Sequence, residues 1–283
     1  MKLFLVSFAN GRFKESQDLL NSSAIKNGVN ATFDYSPEQL RKSSFYKKNK
    51  SILDQERGAG YWLWKPYIIL ESLKKMKLGD VLFYSDSGIQ IISPIDPLVK
   101  IVLEKDIVLF SNDEHLNREY AKRDCFVLMG CDKKAYWDAK QIQASFQVYK
   151  KSKRSLEFVK KWLAYCCNEQ ILTDKSNMHG ENFSDFVAHR HDQSILSLLS
   201  LKEHVEIFRD PSQWGNYSKH KEYRVFGEFL QHSYSTKPFT NSPYSQILNH
   251  HRNHLKVTRI KERIFLLRET AISLAKGILS FSN

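Results

Sequence analysis

Four clusters of polar residues in this 283-residue chain have the types and spacing to do chemistry. The first is Tyr84-Ser85-Asp86-Ser87-Gly88, an acid directly after the apolar run Val81-Leu82-Phe83. A carboxylate past the end of a buried parallel strand can hold a divalent cation that bridges a diphosphate, or accept a ribose hydroxyl. The same residue can instead close an Asx-turn or cap the next element. The second cluster is Arg57-Gly58-Ala59-Gly60-Tyr61-Trp62-Leu63-Trp64-Lys65-Pro66. Its glycines, tryptophans and cations suit anion binding and ring stacking, with Arg57 and Lys65 facing a diphosphate. Aromatic packing against a sheet is the alternative for Trp62 and Trp64. The third is Glu181-Asn182 with His189-Arg190-His191-Asp192-Gln193-Ser194. There Asp192 is either the acid that starts a helix or a contact to sugar or acceptor hydroxyls. The fourth is His232, Lys237-Pro238 and Asn249-His250-His251-Arg252, where paired histidines with an arginine suit metal and phosphate contact. No GxGxxG, Walker A, GxSxG or HExxH pattern occurs.

The elements that must position these clusters read as alternating strands and helices. Leu3–Ala9, Asn30–Tyr35 and Val81–Tyr84 read as buried strands, and Phe13–Lys26 and Trp64–Lys77 as helices. Ile68, Ile69, Leu70, Leu73 and Met76 form the apolar stripe of the second helix. Pro66 fits its first turn. The polar, basic stretch Arg41–Gln55 reads as exposed or mobile. Pro94–Leu103, Ser155–Ile171 and Asp192–Leu201 read as helices; Ile107–Phe110, Phe126–Met129, Ile142–Tyr149 and Val205–Phe208 read as strands. Asp210–Asn249 is expected to be irregular and to face a ligand. The order implies an α/β fold with a mostly parallel central sheet covered by helices on both faces. A final segment, residues 255–283, carries Ile260, Ile264, Leu267, Ala271, Leu274 and Ile278 on one helical face among Lys256, Arg259, Lys261, Arg263, Arg268 and Lys276. That basic amphipathic pattern suits docking on the core, a homo-oligomer seam, or an anionic membrane surface.

Composition bounds the partners. Hydrophobic residues make up 42% and aromatic residues 13%, enough for a sizeable core and too much for disorder. The excess of 43 Lys+Arg over 31 Asp+Glu gives a net charge of +12, which favours anionic partners. The basic residues are spread along the chain rather than gathered with aromatics, which argues against nucleic acid. The four cysteines form no CxxC pair and are expected to be reduced and structural. No run approaches a membrane span, and the opening residues read as a strand, so a cytoplasmic or peripheral membrane location is expected.

In order along residues 1–254, these pieces resemble bacterial and viral glycosyltransferases of the GT-A fold. The resemblance rests on Gly60-Tyr61-Trp62-Leu63-Trp64-Lys65-Pro66, Gly79-Asp80-Val81-Leu82-Phe83-Tyr84-Ser85-Asp86-Ser87-Gly88, Lys122-Arg123-Asp124, Gln141-Ile142, His189 to Ser194, and His250-His251-Arg252. It implies a GT-A-like domain over residues 1–254 that uses a nucleotide-diphosphate sugar and a glycan or lipid-linked acceptor. Asp86 matches the first acid of the D-x-D motif, and Gly88 stands where the second acid would be. Asp192 and Asp86 are implied as catalytic. Arg57, Trp62, Lys65, Asp86, Ser87, Gly88, Arg123, Gln193 and Arg252 are implied for the donor; His191, Asp192 and Glu181 for the acceptor. Asp86 and His251, or His250 or His232 in its place, are implied as ligands of a divalent cation, Mn²⁺ or Mg²⁺. Without that cation, Lys65, Arg57 or Arg252 would carry the diphosphate charge. A non-catalytic binding protein for nucleic acid or another anionic polymer, a nucleotidyltransferase and a non-catalytic scaffold are the rival classes.

Overall fold

Alternate residues of the apolar strands face opposite layers of helices, and this sets the architecture. The computed structural model describes residues 1–215 and 239–251, together with the backbone of two short strands between them. The strands are β1 (Leu3–Phe8), β2 (Ala31–Tyr35), β3 (Val81–Ser85), β4 (Ile89–Ile91), β5 (Ile107–Leu116), β6 (Lys140–Ile142), β7 (Phe146–Lys150), β8 (Ile207–Phe208), β9 (Tyr223–Val225), β10 (Glu228–Leu230) and β11 (Leu248–His250). The central sheet runs in the order β2-β1-β3-β7-β5-β6, with β8 also paired to β5. Five of its seven strands point the same way; β6 and β7 are reversed. The expected α/β, mostly parallel, helix-covered sheet is therefore the one observed.

One face of the sheet presents Leu5, Phe83, Val108, Phe110 and Val148, packed with Leu20, Leu98 and Val102. These last three come from the helices Lys14–Lys26 and Asp96–Lys105. The other face presents Val6, Leu82, Tyr84 and Tyr149, packed with Ile68, Trp162 and Leu196. Those belong to the helices Trp64–Lys75, Lys153–Cys166 and Asp192–Lys202. All five residues of β3 are buried, which explains its unbroken apolar character before the polar turn at Asp86. β4 and β11 form a separate antiparallel pair.

Three expectations need correction. The basic stretch after Arg41 is largely exposed, as one alternative had it, but it is helical: Ser44–Lys48 and Lys50–Leu53 form because Ile52 and Leu53 are buried and Ser43 caps the first of them. Phe126–Leu128 ends a helix, Arg123–Leu128, with Met129 at its C-cap, rather than forming a strand. Its apolar run is too short for periodicity to decide, and Cys125 meets Met129 at 3.7 Å, a four-residue spacing. Ile142–Tyr149 is broken between β6 and β7, and the break delivers the Ala144 and Ser145 carbonyls to the site described below. The segment 255–283, Arg252, His232 and Lys237-Pro238 lie outside the described residues. Among the described residues no helix is long and apolar enough to cross a membrane.

Candidate functional site

The carboxyl ends of β1, β2, β3 and β5 share one edge of the sheet, and the helices that return from that edge begin there. Two of these helices supply the centre of the site. Lys65 lies in the first turn of Trp64–Lys75 and Asp192 in the first turn of Asp192–Lys202. Both are almost wholly buried, at 2% and 4% exposure. Lys65 Nζ sits 2.7 Å from Asp192 Oδ2 and 3.7 Å from Asp86 Oδ1. It donates to the Ala144 carbonyl at 3.1 Å and lies 5.6 Å from the centre of the Tyr84 ring. The Tyr84 hydroxyl donates to Asp86. One ammonium thus ties together two carboxylates that come from different elements.

Electrostatics follow from burial. Burial pushes the Asp192 carboxyl up to about 6, although Lys65 beside it pulls the other way. Burial lowers the Lys65 ammonium, yet Asp192 and Asp86 together outweigh it and hold the group charged. The positive helix terminus favours Asp192 at its own first turn. Trp162 Nε1 donates to the Asp192 carbonyl at 3.1 Å, which fixes the start of that helix. Burial first, then Asp86, raises the Tyr84 phenol far above its ordinary range, so it remains a donor. Burial likewise keeps Cys166, beside Asp192, as an unreactive thiol. Asp86 is the open member of the group, with 35% of its side chain exposed.

Asp86 leads into the turn Ser87-Gly88 and then β4. The Asp86 N–H donates to the Ser145 carbonyl at 2.8 Å, and the His251 N–H donates to the Gly88 carbonyl at 2.9 Å. The turn is therefore held from both sides, and the His250-His251 pair is brought beside it. Among the described residues, no three His, Cys, Asp or Glu side chains converge on a point where a metal ion would sit. Asp86 is engaged by Lys65 and Tyr84, and His251 is buried beside the same turn.

The remaining expected residues are placed as follows. Gln193 is half-buried and donates to Gln141 Oε1 at 2.9 Å, next to Asp192. Ser87 is buried in the turn. Lys65 does not face a diphosphate, because it is sealed between carboxylates. Arg57 pairs with Asp174 at 3.3 Å, both half-exposed. Arg123 is held by a bidentate pair with Asp132, at 2.5 and 2.6 Å. Glu181 is exposed on the irregular segment after Leu172. Trp62 is half-buried: its ring stacks 5.6 Å from the His191 ring, and Gly58 lies so close that a Cβ there would be 2.4 Å from it. His191 is 2% exposed, and its ring is held by Tyr61, Trp62 and the Leu172 carbonyl.

The backbone at these two places is strained. Gly58, Ala59, Gly60, Tyr61 and Trp62 all have positive φ, a left-handed turn of five residues. His191 adopts φ 52° and ψ −117°, a region natural to glycine. Each non-glycine residue held this way costs about 1–3 kcal/mol, and such outliers gather at functional sites. Sequence reading missed Tyr84, Ala144, Trp162 and Asp174. Tyr84 was visible as the aromatic two residues before Asp86; the others are joined to the site only by the fold.

No protein-family model and no curated protein sequence matches the chain. Solved structures with a similar course of chain include glycosyltransferases. Mouse xyloside xylosyltransferase 1 is 8% identical, over 88% of this chain and 97% of that one, with a TM-score of 0.47. The galactosyltransferase LgtC, solved with donor and acceptor sugar analogues, is 13% identical over 88% and 86%, with a TM-score of 0.46. The bifunctional glycosyltransferase WbbM is 11% identical over 70% of this chain, which spans 37% of WbbM, with a TM-score of 0.40.

Proposed function

We propose that the chain is a glycosyltransferase that moves a sugar from a nucleoside-diphosphate donor to a glycan or lipid-linked acceptor. The observation that carries this reading is the Lys65-bridged pair of carboxylates at the carboxyl edge of a mostly parallel sheet. Ligands bind at that edge in open α/β sheets. The ordered motifs of the sequence support the same reading.

In this account Asp86 is the open carboxylate that orients the donor, by accepting hydroxyls of its ribose or sugar. The bond from the anomeric carbon to the β-phosphate oxygen breaks as an acceptor hydroxyl bonds to that carbon; negative charge collects on the leaving nucleoside diphosphate, which takes up the hydroxyl's proton. Positive charge develops at the anomeric carbon, and the buried Asp192 carboxylate stabilises it. Lys65 holds both acids in register and keeps Asp192 ionised. Gln193, beside Asp192, contacts the sugar. His250 and His251 border the donor turn. No step is assigned to a metal ion.

Asp86→Asn is the direct test. It keeps the shape of the turn and removes the charge, so transfer should fall about 10²–10³-fold, with the thermal midpoint close to wild type. Near-normal turnover would place the donor elsewhere. The same assay with and without EDTA shows whether Mn²⁺ or Mg²⁺ takes part.

The basic amphipathic segment 255–283 is read as the part that meets an anionic leaflet, where lipid-linked acceptors lie. Each basic residue near such a surface contributes about 1 kcal/mol. The full chain should pellet with anionic vesicles at low salt, and a chain ending at Lys256 should not. A full chain that ignores anionic vesicles at every salt concentration would favour docking on the core or a homo-oligomer seam.

A further inference from the structure

We propose that His191 is a positioning residue for Asp192: the left-handed turn Gly58–Trp62 grips its ring, and that grip holds the backbone conformation that aims the Asp192 carboxylate at Lys65. The proposal rests on the role given above to Asp192, and it replaces the acceptor contact expected for His191.

Residue 191 has φ 52° and ψ −117° and carries a side chain, so surrounding contacts must impose the conformation. The His191 carbonyl accepts the Ile195 N–H at 3.1 Å, as a helix start requires, and the remaining contacts are made by the ring. His191 Nδ1 is 2.9 Å from the Leu172 carbonyl, which only accepts, so Nδ1 carries the proton and donates. The Trp62 ring stacks on it at 5.6 Å and 20°, and Tyr61 meets it edge-on at 4.8 Å. His189 lies against it at 5.0 Å and is itself fixed, with Nε2 2.9 Å from the Ile171 carbonyl.

The gripping turn is over-determined in turn. Gly58 and Gly60 have no room for a Cβ, against Trp62 and the Leu53 backbone respectively. Trp64 Nε1 donates to the Gly58 carbonyl at 3.0 Å. Arg57 and Tyr61 both reach Asp174, which follows closely on Leu172, at 3.3 and 3.2 Å. The stretch from Arg57 to Lys65 therefore holds the partner segment twice, once at the His191 ring and once at the Asp192 carboxylate. Neither hold needs substrate. Released from its ring contacts, residue 191 would relax to an ordinary conformation and the first turn of the Asp192 helix would rotate with it.

The test uses the full chain and two readouts. In steady-state transfer, His191→Ala should lower kcat about 10²-fold while the donor KM stays within about twofold, because the ring touches no substrate. His191→Asn tolerates positive φ and places an N–H near the position of Nδ1, so it should recover to within about tenfold of wild type. A donor KM that rises as steeply as kcat falls would make His191 a substrate contact and overturn the proposal. So would a His191→Ala enzyme with normal kcat. If His191→Ala does not fold, Trp62→Ala and His191→Asn carry the same comparison. The second readout is thermal unfolding of Trp62→Ala, His191→Asn and the double variant. Coupling through the stacked rings predicts losses that do not add; additive losses would contradict the grip. This readout needs no activity. A wild-type chain that transferred no sugar would sink the functional reading, and the unfolding cycle would still decide the grip.

Discussion

Lys65→Met is expected to remove both activity and a large part of the stability. The ammonium it deletes is the only cation within 4 Å of Asp192 among the described residues, and it also faces Asp86. Breaking a buried pair by removing one partner strands the other charge, at a cost of about 3–5 kcal/mol. Part of that cost is escaped if Asp192 takes up a proton. The carboxylate that stabilises the reacting sugar is then lost as well, so kcat should fall by about 10²–10³-fold. Denaturant unfolding measures the first effect and donor turnover the second. A Lys65→Met protein with wild-type stability and turnover would show that the bridge does not matter.

The pH dependence of turnover is the second large effect. Burial raises the Asp192 carboxyl to about 6 against the pull of Lys65. An acid whose pKa is raised is neutral below that value and charged above it. If the charged form is the active one, kcat should be level above about pH 6 and fall about tenfold per unit below it. Asp192→Asn should be slow at every pH and show no such limb. Lys65→Met leaves desolvation unopposed, so any remaining activity should have its limb moved to higher pH. A wild-type limb near pH 4, the ordinary range of an exposed carboxyl, would mean that Asp192 is not the group that must be charged.

What could be read from the sequence follows from which interactions are local. β3 and the helix Trp64–Lys75 are legible because an unbroken apolar run and a stripe of apolar residues each have one reading at that length. Asp86 is legible because it directly follows a buried strand. Asp192 is legible as a helix-starting acid, though not as a buried one. Lys65 is the instructive error. A lysine beside glycines and tryptophans looks free to meet phosphate, and only the fold brings Asp192 and the Ala144 carbonyl to its ammonium. The break that frees Ala144 is hidden in the same way, because Ile142–Tyr149 alternates like one strand. The role of Trp62 stays open in the sequence because its stacking partner, His191, is brought in by the same distant contact.

The central claim is that this edge of the sheet cleaves a nucleoside-diphosphate sugar with Asp192 as the reacting carboxylate. Release of nucleoside diphosphate from a panel of nucleotide sugars, measured with and without Mn²⁺ or Mg²⁺ for wild type and Asp192→Asn, tests it most directly. The account predicts release from at least one donor by wild type and a loss of about 10²–10³-fold in Asp192→Asn. No release from any donor under either condition, or equal release by the two proteins, would contradict it.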